Sequence, residues 1–92
     1  MSRIEFRRHA FQRMAARGIS VADVLTVLQA DDAIERYPQD TPFPSRLLLG
    51  TANGRPLHVV AAHDHVEDVT YIVTTYEPDP AEWSADFRRR RS

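Results

Sequence analysis

Hydrophobic positions in the first third of the chain recur at helical spacing, and beyond it they recur at alternate residues. Phe6, Ala10 and Met14, with Phe11 beside them, form one apolar side of a helix predicted from Phe6 to Arg17. Gly18 supplies a left-handed residue to end it. Ser20, three residues before Asp23, makes a capping box that opens a second helix through Gln29, whose stripe is Val21, Val24, Leu25 and Leu28.

From Asp31 the period falls to two. Ala33, Ile34 and Tyr37 mark a first strand stopped by Pro38, and Gln39 to Pro44 form a proline-rich loop. Arg46 to Thr51 and Arg55 to Asp64 read as a second and third strand, joined at Asn53-Gly54 by a hairpin turn of the primed type. Val69 to Tyr76 is the fourth, rich in Val, Ile, Thr and Tyr. Pro78 and Pro80 then lead into a short helical turn anchored by Trp83.

The expected architecture is α+β, with two N-terminal helices packed on a four-stranded, mainly antiparallel sheet and a short C-terminal helix. Its parts are a helix over 6–17, a helix over 20–29, a sheet over 31–77, a short helix over 79–87 and a basic tail over 88–92, all in one domain spanning 1–92. So short a chain is expected to leave the second sheet face to solvent or a partner.

Composition narrows the classes. The 92 residues are 42% hydrophobic and 27% charged, which suits a globular domain and neither a membrane span nor a disordered segment. Cysteine is absent, which excludes disulfides and thiolate metal sites. With no signal peptide or apolar anchor in view, the expected compartment is cytoplasmic. The formal net charge is −1, yet every basic side chain is arginine, and these cluster at Arg3 to Arg17 and Arg88 to Arg91. Such segregation points to a local anionic partner.

The first helix carries His9, Arg13 and Arg17 four residues apart, on one face. Alternation turns Leu57, Val59 and Ala61 toward the core and His58, Val60 and Ala62 away from it, and a suitable register would gather Arg46, His58 and Tyr76 on one surface beside that stripe. These are the types that cleavage of RNA by its own 2′-hydroxyl requires: a base, an acid for the departing oxygen, and cations for the phosphorane. Each also has a plain structural role open to it. His58 can fill a cross-strand gap, Tyr76 can edge the core, Glu77 can stay solvated, and Arg88 to Arg91 can form a mobile tail. His58, His63 and His65 with Asp64 would be the candidate metal ligands. Because His63 and His65 fall at a strand end, no metal is assigned, and no cofactor is expected.

The segments His9 to Ser20 (HAFQRMAARGIS), Pro44 to Gly50 (PSRLLLG), Gly54 to Val60 (GRPLHVV) and Thr75 to Trp83 (TYEPDPAEW) together resemble the domain-of-unknown-function family 4258. That family is similar to the RelE, ParE and BrnT toxins of bacterial type II toxin-antitoxin systems. The resemblance implies a metal-independent endoribonuclease toxin, often linked to translation on the ribosome. It further implies a cognate antitoxin, often similar to the zinc-ribbon and helix-turn-helix MqsA type. Carried over by position, His9, His58 and Tyr76 would be catalytic, and Arg13, Arg17 and Arg46 would hold RNA phosphate. The rival expectation is a non-catalytic RelE/ParE-like module that binds an acidic protein segment or nucleic acid through the same residues.

Overall fold

The computed structural model describes residues 2–92. In chain order they form β1 (Arg3–Phe6), α1 (Arg8–Arg17), α2 (Val21–Ala30), β2 (Ala33–Tyr37), β3 (Ser45–Ala52), β4 (Arg55–Asp64) and β5 (Val69–Tyr76). The five strands make one sheet in the order β1-β5-β4-β3-β2. β1 runs parallel to β5, pairing Ile4 with Thr70 and Phe6 with Ile72, while every other pair is antiparallel. The sheet is therefore mixed and five-stranded, which corrects the expected four-stranded, mainly antiparallel one. The missed strand is four residues of strict alternation, Arg3-Ile4-Glu5-Phe6, and its partner lies at the far end of the sequence. No local signal reports such a pairing.

Local chemistry explains the helix boundaries. Gly18 ends α1 at φ 64° and returns its N–H to the Met14 carbonyl. At the start of α2 the Ser20 hydroxyl accepts from the Asp23 N–H and the Asp23 carboxylate accepts from the Ser20 N–H, both at 3.0 Å. Burial works against ionisation of Asp23, but the Ser20 backbone N–H, the largest influence, and the Asn53 amide hold its carboxyl below the usual range. Between β3 and β4, Asn53 and Gly54 take φ values of 53° and 78°, the conformation of a primed turn.

Both helices cover one sheet face. Ala10, Met14, Ile19, Val24 and Val27 pack against Leu48, Ala52, Leu57, Val59, Ala61 and Ile72. A full Leu or Ile burial stabilises the fold by about 1.5–3 kcal/mol. Contact between α2 and β3 is close enough that a Cβ on Gly50 would lie 3.0 Å from Val27 Cγ2 and 3.2 Å from its Cα.

The opposite face is not left open. Instead of a C-terminal helix, which is absent, residues 77–92 form a turn-rich strap across it, closed by a bridge between Trp83 and Arg90. Trp83 is buried, and the Arg90 guanidinium lies 4.7 Å from its ring centre. Arg88 binds Asp32 through two contacts of 2.6 and 2.9 Å, and Arg90 binds Glu35 through two of 3.0 and 3.2 Å. The expected mobile basic tail is thus docked by ion pairs. Among the described residues no helix is long and apolar enough to cross a membrane.

Candidate functional site

The six sequence-derived site residues fall in three places. His9 and Arg13 are exposed on α1, away from the buried Ala10 and Met14. Neither side chain makes a hydrogen bond or ion pair among the described residues. Arg17, at the end of the same helix, donates to the Thr75 carbonyl at 2.9 Å. The stripe is a solvent face whose last member ties α1 to β5.

His58 and Tyr76 do come together, as direct cross-strand partners on the strap side of the sheet. His58 is fully buried. The Phe87 carbonyl can only accept, so His58 Nε2 carries the proton and donates to it at 2.9 Å, while Nδ1 accepts from the Tyr76 hydroxyl at 3.2 Å. Trp83 meets the imidazole edge to face with ring centres 4.4 Å apart. Burial pulls the His58 pKa below its ordinary value, partly opposed by the Phe87 carbonyl and Glu35. With both ring nitrogens engaged inside the core, His58 works as a neutral latch for the strap. Tyr76, whose phenol burial pushes up, borders an open recess with Arg17, Glu77, Asp79 and Glu82. Three carboxylates make that recess repulsive to phosphate.

Arg46 lies on the other face. Its partners across β2 and β4 are Arg36 and Ala61, and Ala61 belongs to the helix-side core, so Arg46 cannot share a surface with His58. Its guanidinium is 3.3 Å from Asp31, the residue that caps α2. A bulge between Val60 and Ala61 also separates Ile72 from the side shared by Thr74 and Tyr76.

What Arg46 does join is a cleft of about 390 Å³ on the helix side of the sheet. Arg36 faces Arg46 directly across the β2/β3 pair, and its side chain has no hydrogen bond or ion pair among the described residues. His63, near the end of β4, and His65, in the turn beyond it, enter from the neighbouring strand. Ser2 and Thr70 add hydroxyls, Pro38 and Pro44 add wall, and Ser45, whose hydroxyl is turned to Asp40, adds none. The Thr70 hydroxyl links Ser2 Oγ at 3.0 Å to His63 Nδ1 at 3.1 Å. His63 Nε2 lies 3.4 Å from an Asp68 carboxylate oxygen.

The turn that carries His65 is built locally. Asp64 Oδ1 accepts the N–H groups of Val66 and Glu67 at 2.9 and 3.1 Å, and Asp68 closes the turn at φ 52°. The His65 ring packs edge to face on His63 with centres 4.5 Å apart, and its nitrogens have no partner among the described residues. Two guanidinium groups, an oriented imidazole, an unpartnered imidazole and two hydroxyls therefore line one concave surface. Such a set suits a phosphodiester or another oxyanion. Among the described residues no three His, Cys, Asp or Glu side chains are arranged to hold a metal ion.

Sequence reading noticed His63 and His65 only as possible metal ligands, and it passed over Arg36 in the Glu35-Arg36-Tyr37 segment. The available signal was period two: His63 and His65 point alike, and Arg36 falls opposite Arg46 once the β2/β3 register is known. A family model described as Domain of unknown function (DUF4258) matches residues 6–77, well over half of the chain. The matched span holds Arg36, Arg46, His63 and His65 and ends where the strap begins. No curated protein and no solved structure matches the chain.

Proposed function

The chain belongs to the DUF4258 family, and on that premise we propose that it is an endoribonuclease of the RelE/ParE/BrnT toxin type that cleaves RNA with side chains alone, in the Arg36/Arg46/His63/His65 cleft. The observation that carries the reading is the convergence of two arginines and two histidines from three adjacent strands and the turn after β4. Arg36 and Arg46 hold the scissile phosphate and neutralise the charge that grows on its oxygens. His65, with free ring nitrogens, takes the proton of the adjacent 2′-hydroxyl as its oxygen bonds to phosphorus. His63, fixed through Nδ1 by the Thr70 hydroxyl, is the acid: the proton on Nε2 turns from the loosely held Asp68 carboxylate, 3.4 Å away, to the 5′-oxygen as the P–O5′ bond breaks. The products are a 2′,3′-cyclic phosphate and a 5′-hydroxyl. An antitoxin, in the family often of the zinc-ribbon and helix-turn-helix type, would neutralise the protein.

This reading moves the acid-base work from His9 and His58 to His63 and His65. It keeps Arg46 as a phosphate ligand, replaces Arg13 and Arg17 by Arg36, and gives Tyr76 a positioning role at the latch. The test is incubation of the purified protein with a labelled RNA oligonucleotide in excess chelator, with and without ribosomes. Cyclic-phosphate ends are expected, and His65→Gln should slow their formation by about 10²–10⁴-fold, the usual contribution of a positioned acid or base. RNA left intact under both conditions, with no growth arrest on expression, refutes catalysis. RNA bound in the cleft but never cut would favour the non-catalytic module.

A further inference from the structure

The basic cleft does not end at Arg46. It opens into a second groove of about 430 Å³ between β1 and α2, with which it shares Ser2, Arg46 and Thr70. The chemistry changes abruptly at that boundary: the new walls are Ile4, Leu25 and Leu28, with the exposed residue Gln29 beside them. Leu25 and Leu28 lie three residues apart on α2, so they present adjacent side chains, while Val24 and Val27 turn into the core. Ile4 and Leu28 are half-buried and packed against the core cluster, which makes the shelf firm. Arg46 stands at the junction, its guanidinium held by Asp31 at 3.3 Å.

We infer that the Ile4/Leu25/Leu28 groove is a nucleobase subsite, filled by the base attached to the ribose whose phosphate lies between Arg36 and Arg46. The inference rests on the phosphate-binding reading of the cleft and extends it to a substrate class. A free oxyanion would occupy the arginine half and leave the aliphatic shelf wet. A purely apolar ligand would leave two guanidinium groups unmatched. A nucleotide has both ends in the right order: a charged phosphate, a hydroxyl-bearing sugar to cross the Ser2 and Thr70 hydroxyls, and a flat base with apolar faces and a polar edge. The Gln29 amide both donates and accepts, as recognition of a base edge requires. A charged side chain at that position would suit an ionic partner instead.

The experiment is a set of titrations of the purified protein with inorganic phosphate, ribose 5-phosphate and the four nucleoside 3′-monophosphates, followed by amide chemical shifts. Phosphate should shift the amides around Arg36, Arg46 and His63, and the nucleotides should also shift Ile4, Leu28 and Gln29. At least one nucleotide should bind about tenfold or more tightly than ribose 5-phosphate. Leu25→Asn, at a half-exposed helix position, should bring nucleotide binding down to the ribose 5-phosphate level with phosphate binding unchanged. If that variant proves unfolded, Gln29→Ala, on an exposed side chain, should instead flatten the preference among the four bases. Phosphate binding with nucleotides no tighter than ribose 5-phosphate overturns the base subsite alone. Failure of phosphate itself to bind overturns the cleft reading and this inference with it.

Discussion

Replacing His58 by Leu tests whether this buried imidazole is a structural latch. Leu is close enough in volume to leave little cavity, so the change isolates the two hydrogen bonds. Tyr76 is half-exposed and can turn its hydroxyl to water, whereas the Phe87 carbonyl loses the donor that meets it at 2.9 Å. An acceptor left unpaired under the strap costs about 1–3 kcal/mol. At roughly 4–8 °C per kcal/mol for a domain of this size, the melting temperature should fall by roughly 4–24 °C.

The pH dependence carries the sharper signature. Burial lowers the native pKa of His58, with Glu35 from β2 and the Phe87 carbonyl pulling it back up and Arg90 of the strap pushing it further down. The unfolded chain binds this proton near pH 6.5 and the native chain resists it. The stability contributed by neutral His58 is therefore complete above about pH 6.5 and is lost as pH falls from there toward the native value. Urea melts of both proteins at pH 7.5 and 5.5 measure it, and the gap between wild type and His58→Leu should narrow at the lower pH. A variant as stable as wild type at pH 7.5, or a gap independent of pH, refutes the latch. Unchanged stability with abolished RNA cleavage would return His58 to the catalytic role.

Two further outcomes follow from the packing and the charge layout. Gly50→Ala drives a methyl group into the α2 backbone at Val27, and overpacking of this kind should cost about 1–3 kcal/mol in chemical denaturation, with helix α2 losing amide-exchange protection first. In the cleft, Arg36→Ala and Arg46→Ala should each lower the slope of log K against log salt for single-stranded RNA by about 0.7, while Arg13→Ala on the exposed stripe should leave the slope unchanged.

Features that one segment decides for itself were readable from the residues. The Gly18 cap, the Ser20/Asp23 box and the Asn53-Gly54 turn each depend on three or four neighbours, and all appear where the pattern puts them. The inward set Leu57, Val59 and Ala61 follows from alternation alone. β1 escaped because its four residues gain their ladder from β5, at the other end of the chain. Arg46 was placed on the wrong face for joining His58 because strand register is a pairwise property, and one residue of slip reverses a side chain. The strap escaped because Pro78-Asp79-Pro80 reads as a helix start, whereas its docking depends on Asp32 and Glu35 lying opposite Arg88 and Arg90.

By itself, then, the order of residues determined the helices, their caps, the tight hairpin and the inward set of β4, since these follow from local sterics and from which side chains leave water. Tertiary structure alone decided which charged groups meet. Guanidinium and imidazole groups carry no local signal of their partners, and only the β2-β3-β4 register, with the edge of α2 beside it, brings Arg36, Arg46, His63 and His65 around one cleft and closes the strap over His58.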